Sequence, residues 1–187
     1  MTYISKGWEV KGSKERRVIV LYCGGRYELN GEMASVWRRG RRHFASVYSY
    51  KEEKILRALC SQGLVEVSQY SSRRDRFLLL TNCLLCIPKR ASKIPVLNPL
   101  DRKILLWLKR AAFRLSVAEL IYLTEMKIHP IKSLLGESNR MTLSKRIYSS
   151  VVTSGKYLEQ KMSVAFSRDL VVDSIVRLIR KRKLYLI

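Results

Sequence analysis

The segment 26–37 constrains the fold more than any other stretch, because it changes from a strand pattern to a helix pattern within about three residues. Tyr27 and Leu29 alternate with polar neighbours, as in a strand that buries one face. Asn30 follows in the position of a helix N-cap. The next apolar residues recur at helical spacing and form one face: Met33, Val36 and Trp37. The segment therefore predicts a strand that leads directly into an amphipathic helix.

The charge of the chain indicates what kind of partner it has. Its 187 residues include 37 basic and 15 acidic ones, for a formal net charge of +22, and 47% are hydrophobic, which is enough for a folded core. Basic residues outnumber acidic residues by 19 to 8 before Pro95 and by 18 to 7 after it. Since both halves are basic, we expect an acidic partner and not a neutral enzyme with a basic tail.

Two further global features concern the compartment. The sequence has neither the roughly 18 to 20 uninterrupted apolar residues of a membrane span nor the apolar core of a signal peptide. We therefore expect a soluble, cytoplasmic protein. Its four cysteines lack the spacing of a disulfide framework and are expected to be reduced: Cys23, Cys60, Cys83 and Cys86.

Residues 1–87 are predicted to form a first module that begins with strands. We expect strands at 8–10 and 18–22, and Gly24-Gly25 is a hairpin signal that turns the chain back into the strand 26–29. The order of these segments predicts a small antiparallel sheet.

The rest of the first module has the outline of a winged helix. A capping box of Ser49 and Glu52 starts a helix that ends at Gly63. Residues 64–67 have the pattern of a strand, 68–76 that of a basic loop, and 77–87 that of a second strand. A helix followed by such a hairpin is typical of a winged helix.

A second module is predicted at residues 96–187, after a linker at 88–95 that contains two prolines. It opens with a similar junction, in which Asn98 caps a helix and Pro99 takes its first position. We expect an α+β fold of two tandem winged-helix-like modules, the second enlarged by extra helices. Chance similarity between amphipathic helices is the alternative explanation.

Four segments of the first module suggest a family. They are Gly7-Trp8-Glu9-Val10, residues 18–21, Arg26-Tyr27-Glu28-Leu29-Asn30-Gly31 with Trp37, and Ile55-Leu56-Arg57-Ala58-Leu59 with Gly63-Leu64-Val65. Together they resemble a PqqD-like domain, also called the RiPP recognition element, over residues 7–67. The resemblance implies three strands followed by helices. It also implies a non-catalytic protein that binds the leader of a ribosomally made peptide and presents it to a modifying enzyme.

The resemblance also implies where that leader binds. It would add as an extra strand beside the third strand and against the last helix, so that backbone hydrogen bonds give affinity and side-chain pockets give specificity. The receiving strand would present Arg26, Tyr27, Glu28 and Leu29, and the helical wall would include Lys51, Lys54, Ile55 and Ala58. Basic residues in this wall suit an acidic leader peptide.

A winged-helix DNA-binding protein, such as a transcriptional regulator, is the alternative function. The basic residues that could contact duplex DNA form three groups. The cluster after the first helix consists of Arg38, Arg39, Arg41 and Arg42, the predicted wing carries Arg73, Arg74 and Arg76, and a candidate recognition helix carries Lys145 and Arg146. A solvated basic surface explains such clusters equally well. A structural subunit of a larger assembly is a third possibility.

The sequence offers little catalytic chemistry. Cys83 and Cys86 form a CxxC, but no second pair with metal-ligand spacing follows, so we expect no metal and no cofactor. Asp169 and Asp173 lie near a helix start, where carboxylates complement the helix dipole. No nucleophile elbow or phosphate-binding glycine loop is present, and we expect no enzymatic activity.

Overall fold

The computed structural model describes residues 1–10, 17–88, 98–148 and 155–187. They form two compact units, Met1–Cys83 with Tyr185–Ile187, and Leu84–Leu184. The strands are β1 (Thr2–Ser5), β2 (Trp8–Glu9), β3 (Arg17–Tyr22), β4 (Gly25–Asn30), β5 (Ala45–Ser46), β6 (Val65–Ser68), β7 (Leu85–Cys86) and β8 (Tyr185–Leu186). The helices are α1 (Gly31–Gly40), α2 (Tyr50–Ser61), α3 (Arg73–Thr81), α4 (Pro99–Arg110), α5 (Val117–Glu125), α6 (Arg140–Tyr148), α7 (Gly155–Met162) and α8 (Arg168–Arg180). These elements confirm a mixed α and β fold.

One sheet of the first unit has the antiparallel order β2-β3-β4. The turn between β3 and β4 consists of Cys23 and Gly24, whose φ angles are 47° and 81°. Two positive φ values are typical of a type I′ turn, which matches the twist of a tight hairpin. The predicted turn at Gly24-Gly25 is thus displaced by one residue, because Gly25 is the first residue of β4.

The predicted junction after β4 is present. Asn30 stands at the N-cap of α1, but its side chain makes no capping hydrogen bond, contrary to the expectation. Trp37 of α1 is fully buried and donates a hydrogen bond from Nε1 to the carbonyl of Lys6 at 3.0 Å. Strand β4 and helix α1 therefore share one core, which includes Leu29, Ala34 and Trp37.

A second sheet of the first unit has the order β5-β1-β6, with β1 antiparallel to both neighbours. All four residues of β1 are buried. Helix α2 begins at the predicted position, since the Ser49 side chain accepts from the amide of Glu52 at 3.2 Å. The predicted capping box is only half formed, because the Glu52 carboxylate accepts from the amide of Tyr48 and not from that of Ser49.

The predicted wing is wrong. Residues 73–81, expected as part of a basic loop and a strand, form α3, so Arg73, Arg74 and Arg76 lie in its first turn. The reason is a capping box that the sequence analysis missed: Ser72 accepts from the amide of Asp75 at 3.2 Å, and Asp75 accepts from the amide of Ser72 at 3.0 Å. Buried side chains of α3 then hold the helix in place: Phe77, Leu79 and Leu80.

The second unit is built mainly from α4 to α8. Asn98 caps α4 by accepting from the amide of Leu100 at 2.9 Å, and Pro99 takes the first helical position, both as predicted. The buried carboxylate of Asp101 joins α4 to α8, because it accepts from Ser174 Oγ and from Arg177 at 2.9 Å. The predicted linker 88–95 lies, apart from Pro88, outside the described residues. No helix in the described ranges is long and apolar enough to span a membrane.

Candidate functional site

Strand β4 is an edge strand in the described part of its sheet, since it pairs only with β3. The backbone of Ile19, which faces Glu28, bonds away from β4, as its carbonyl accepts from Val10 at 2.9 Å. In an antiparallel pair, residues that face each other bond either to one another or away from one another, in alternation. The amides and carbonyls of Arg26 and Glu28 therefore point to the open edge.

Two contacts place the ends of helix α2 close to the β3–β4 hairpin. Lys51 Nζ, in the first turn of α2, lies 2.7 Å from the carboxylate of Glu32, which follows β4 in α1. Just beyond the end of α2, a Cβ placed on Gly63 would lie 3.2 Å from ring atom Cε1 of Tyr22, which pairs with Gly25. Between these ends, α2 packs on α1 and β6.

The predicted wall residues lie on one flank of α2. Positions three, four and seven apart fall on one side of a helix, which brings together the four residues Lys51, Lys54, Ile55 and Ala58. Lys51, Lys54 and Ala58 are exposed and Ile55 is half-buried. The core side of the helix carries Leu56 and Leu59.

Apolar side chains of β4, α1 and α2 lie partly exposed at the core of the first unit. Tyr27, Met33 and Ile55 are partly buried and pack against its core cluster. Glu28 is exposed, and its carboxylate lies 2.6 Å from the Arg17 guanidinium, whose hydrogen bond holds the pKa of Glu28 below its usual value. The candidate site thus offers open backbone groups, partly exposed apolar side chains and exposed lysines on α2.

The predicted phosphate-binding cluster after α1 is largely engaged within the first unit. Arg38 and Arg41 both form ion pairs with Glu9, at 2.8 Å for Arg38. The Arg41 guanidinium also lies 5.7 Å from the ring centroid of Trp8 and 5.5 Å from that of Trp37. These contacts stabilise the junction of β2 and α1.

Arg39 has a similar structural role. It lies 2.9 Å from the Glu52 carboxylate and donates to the hydroxyl of Tyr3 at 3.1 Å. The hydrogen bond to Glu52 is the main cause of the raised pKa of Arg39. The same hydrogen bond is also the main cause of the lowered pKa of Glu52. Arg42 is exposed. Three of the four predicted phosphate ligands therefore have protein partners.

The other predicted nucleic-acid contacts lie in different units. Arg76 of α3 stands 5.8 Å from the ring of Phe44, and Arg74 is exposed. Lys145 and Arg146 are exposed on α6 of the second unit. The arginines of α3 therefore lie in a helix and not near the tip of the predicted wing.

The CxxC pair does not belong to a metal-binding group in the described part of the chain. Cys83 is buried, its thiol donates to the carbonyl of Leu79 at 3.3 Å, and burial raises its pKa to about 12. Within the described ranges, no group of three or more histidine, cysteine or acidic residues could hold a metal ion. Asp169 pairs with Arg168 at 2.8 Å near the start of α8.

The sequence analysis missed two parts of the site. Met33 was assigned only to the core, although it is partly buried and packs against the same core cluster as Tyr27 and Ile55. The contact between Gly63 and Tyr22 has no local sequence signal.

No family model matches the chain, and no curated protein or solved structure is significantly similar to it.

Proposed function

We propose that this chain is a non-catalytic protein that binds the leader of a ribosomally made peptide and presents it to a modifying enzyme. The leader adds as a strand at the open edge of β4. The observation that carries the proposal is this edge, with the two ends of α2 close to the β3–β4 hairpin. The resemblance of residues 7–67 to PqqD-like domains supplies the class of peptide.

The backbone of β4 provides the affinity. The amides of Arg26 and Glu28 donate hydrogen bonds to an added strand, and their carbonyls accept hydrogen bonds from it. Alternate side chains of that strand face α2 and meet Tyr27 and Ile55, which favours apolar residues at every second position of the peptide.

Charge provides the selectivity for an acidic leader. Lys51 and Lys54 lie along the α2 flank, and the whole chain carries a net charge of +22. Complementary charge increases the association rate and disfavours basic peptides. Peptide binding should therefore weaken as salt is added.

The second unit is proposed to be an enlarged relative of the first. Helix α4 follows Asn98 and carries the buried Trp107, as α1 follows Asn30 and carries the buried Trp37. A tandem winged-helix arrangement remains part of this proposal. DNA binding gains no specific support, because residues 73–76 start a helix and Arg38, Arg39 and Arg41 have internal partners.

Fluorescence anisotropy with the labelled precursor peptide encoded beside this gene tests the proposal. Lys54→Glu reverses a charge on the proposed binding flank and should weaken binding about tenfold. Arg74→Glu is the matched control, since Arg74 is an exposed cation of the same unit on a different helix, α3. Equal losses in both variants would reduce the effect to general electrostatics, and the absence of saturable binding would reject the proposal.

A second variant tests the edge itself. Glu28→Pro removes one open-edge amide and leaves the hydrogen bonds between β3 and β4 in place, because Glu28 bonds away from β3. We expect the variant to keep its fold, checked by circular dichroism, and to lose most of its peptide affinity. A folded Glu28→Pro protein with unchanged affinity would exclude strand addition at β4.

A further inference from the structure

A separate basic surface lies in the second unit, where the end of α4, the turn near residue 132 and the start of α6 meet. The amide of Gly136 donates to the carbonyl of Arg110 at 3.0 Å. The Asn139 side chain donates to the carbonyls of Lys132 at 3.1 Å and Leu135 at 3.0 Å. These hydrogen bonds bring three separate segments together. We name the α4–α6 surface by its four cations: Arg110, Arg114, Lys132 and Arg140.

The positive charge of the α4–α6 surface is not compensated locally. All four cations are exposed, and none forms an ion pair with another described residue. Of the three acidic residues between 109 and 146, two are engaged elsewhere. Glu119 accepts from the hydroxyl of Tyr148 at 2.8 Å, and Glu125 accepts from the amide of Ser167 at 2.9 Å. This leaves Glu137 as the one acidic residue of the described segment 109–146 that is not engaged in these two contacts.

Two of the cations also have roles in the fold. Cations at the end of α4 complement its dipole, which accounts for Arg110. Arg140 follows the 3₁₀ turn Glu137–Asn139, and its guanidinium lies 5.7 Å from the ring centroid of Phe113. That contact holds the Arg140 guanidinium at the surface, where the residue is exposed.

Apolar side chains accompany these cations. Ile131 is 54% exposed next to Lys132, and Met141 is 68% exposed next to Arg140. Phosphate contacts need cations alone, whereas protein interfaces combine arginine and methionine with an apolar centre. We propose that the α4–α6 surface docks a protein partner that presents carboxylates around apolar side chains. This docking does not depend on the peptide edge at β4.

Binding of three fluorescent polymers to the full chain tests this proposal. They are a random glutamate–tyrosine copolymer, poly-glutamate of the same length, and single-stranded oligothymidylate. We expect the copolymer to bind most tightly. The triple charge reversal Arg110→Glu, Lys132→Glu and Arg140→Glu should weaken its binding at least about tenfold. The double variant Ile131→Ser and Met141→Ser should weaken binding of the copolymer and leave poly-glutamate unchanged.

A matched triple variant separates this surface from the total charge. Lys127→Glu, Lys156→Glu and Lys161→Glu change the net charge by the same amount at exposed positions of the same unit. Equal losses in both triples would overturn the proposal, as would a preference for oligothymidylate, which would assign the surface to nucleic acid. If the first triple fails to fold, Arg110→Gln with Arg140→Gln replaces it, with an expected loss of about threefold or more and the same criteria. Glu28→Pro should leave copolymer binding unchanged, which separates this result from the peptide edge.

Discussion

Replacing Gly40 with alanine tests how the helices of the candidate site are held. Gly40 is the buried last residue of α1. A Cβ at this position would lie 2.5 Å from Cε2 of Tyr3 and 2.5 Å from Oγ of Ser5, and both residues belong to β1. Real Cβ atoms do not approach neighbours so closely, so the Tyr3 ring and the Ser5 hydroxyl, or α1 itself, would have to shift.

The expected loss of stability follows from two opposed effects. Overpacking of a close-packed core costs about 1–3 kcal/mol. Alanine regains at most about 0.5–1 kcal/mol in a helix through its lower conformational entropy in the unfolded chain. The central values of these two effects, about 2 and about 0.75 kcal/mol, leave a net loss of about 1 kcal/mol in the free energy of unfolding. The urea midpoint should therefore fall by about 0.5 M.

Indole N–H signals in NMR spectra during urea titration report the two units separately. Trp37 reports the first unit and Trp107 the second. Gly40→Ala should lower the unfolding midpoint seen at Trp37. Gly155→Ala is the control, since beyond its chain neighbours and its own helix no described residue has an atom within 4 Å of an added Cβ, and it should keep or raise the midpoint seen at Trp107. An unchanged midpoint at Trp37 in Gly40→Ala would refute the close contact between α1 and β1.

Three further predictions concern the stability and reactivity of the first unit. Deleting residues 185–187 removes the carbonyl of Leu186 that accepts from the amide of Gly7 at 2.7 Å, and should lower the unfolding free energy seen at Trp37 by about 1–3 kcal/mol. Because the pKa of Glu52 is lower in the folded chain than its ordinary value of 4.5, the carboxylate stabilises the fold above pH 4.5, and this contribution is lost as the pH falls. Glu52→Gln should therefore show a smaller drop in the urea midpoint on acidification. In thiol titration, Cys83 should react only on unfolding, because burial raises its pKa to about 12.

Local signals predicted the elements next to the candidate site. Tyr27 and Leu29 alternate with polar residues, and the capping residues Ser49 and Asn98 mark the starts of α2 and α4. These features depend on a few neighbouring residues, so sequence patterns were sufficient to predict them. The apolar and basic residues of the α2 flank came from the resemblance to PqqD-like domains and not from helical spacing.

Features that depend on distant contacts were not predictable. Strand β1 has no alternating pattern, because all four of its residues are buried between β5 and β6. The basic segment before Phe77 was assigned to a loop, although Ser72 and Asp75 form a capping box that could have indicated α3. The ion pairs of Arg38 and Arg39 involve Glu9 and Glu52, which the sequence does not place nearby.

Backbone hydrogen exchange at β4, measured with and without the neighbouring precursor peptide, tests the central claim most directly. The amides of Tyr27 and Leu29 bond to β3 and should be protected in both states. The amides of Arg26 and Glu28 face the open edge and should gain protection only when the peptide is bound. Saturable peptide binding without added protection at Arg26 and Glu28 would contradict strand addition at this edge.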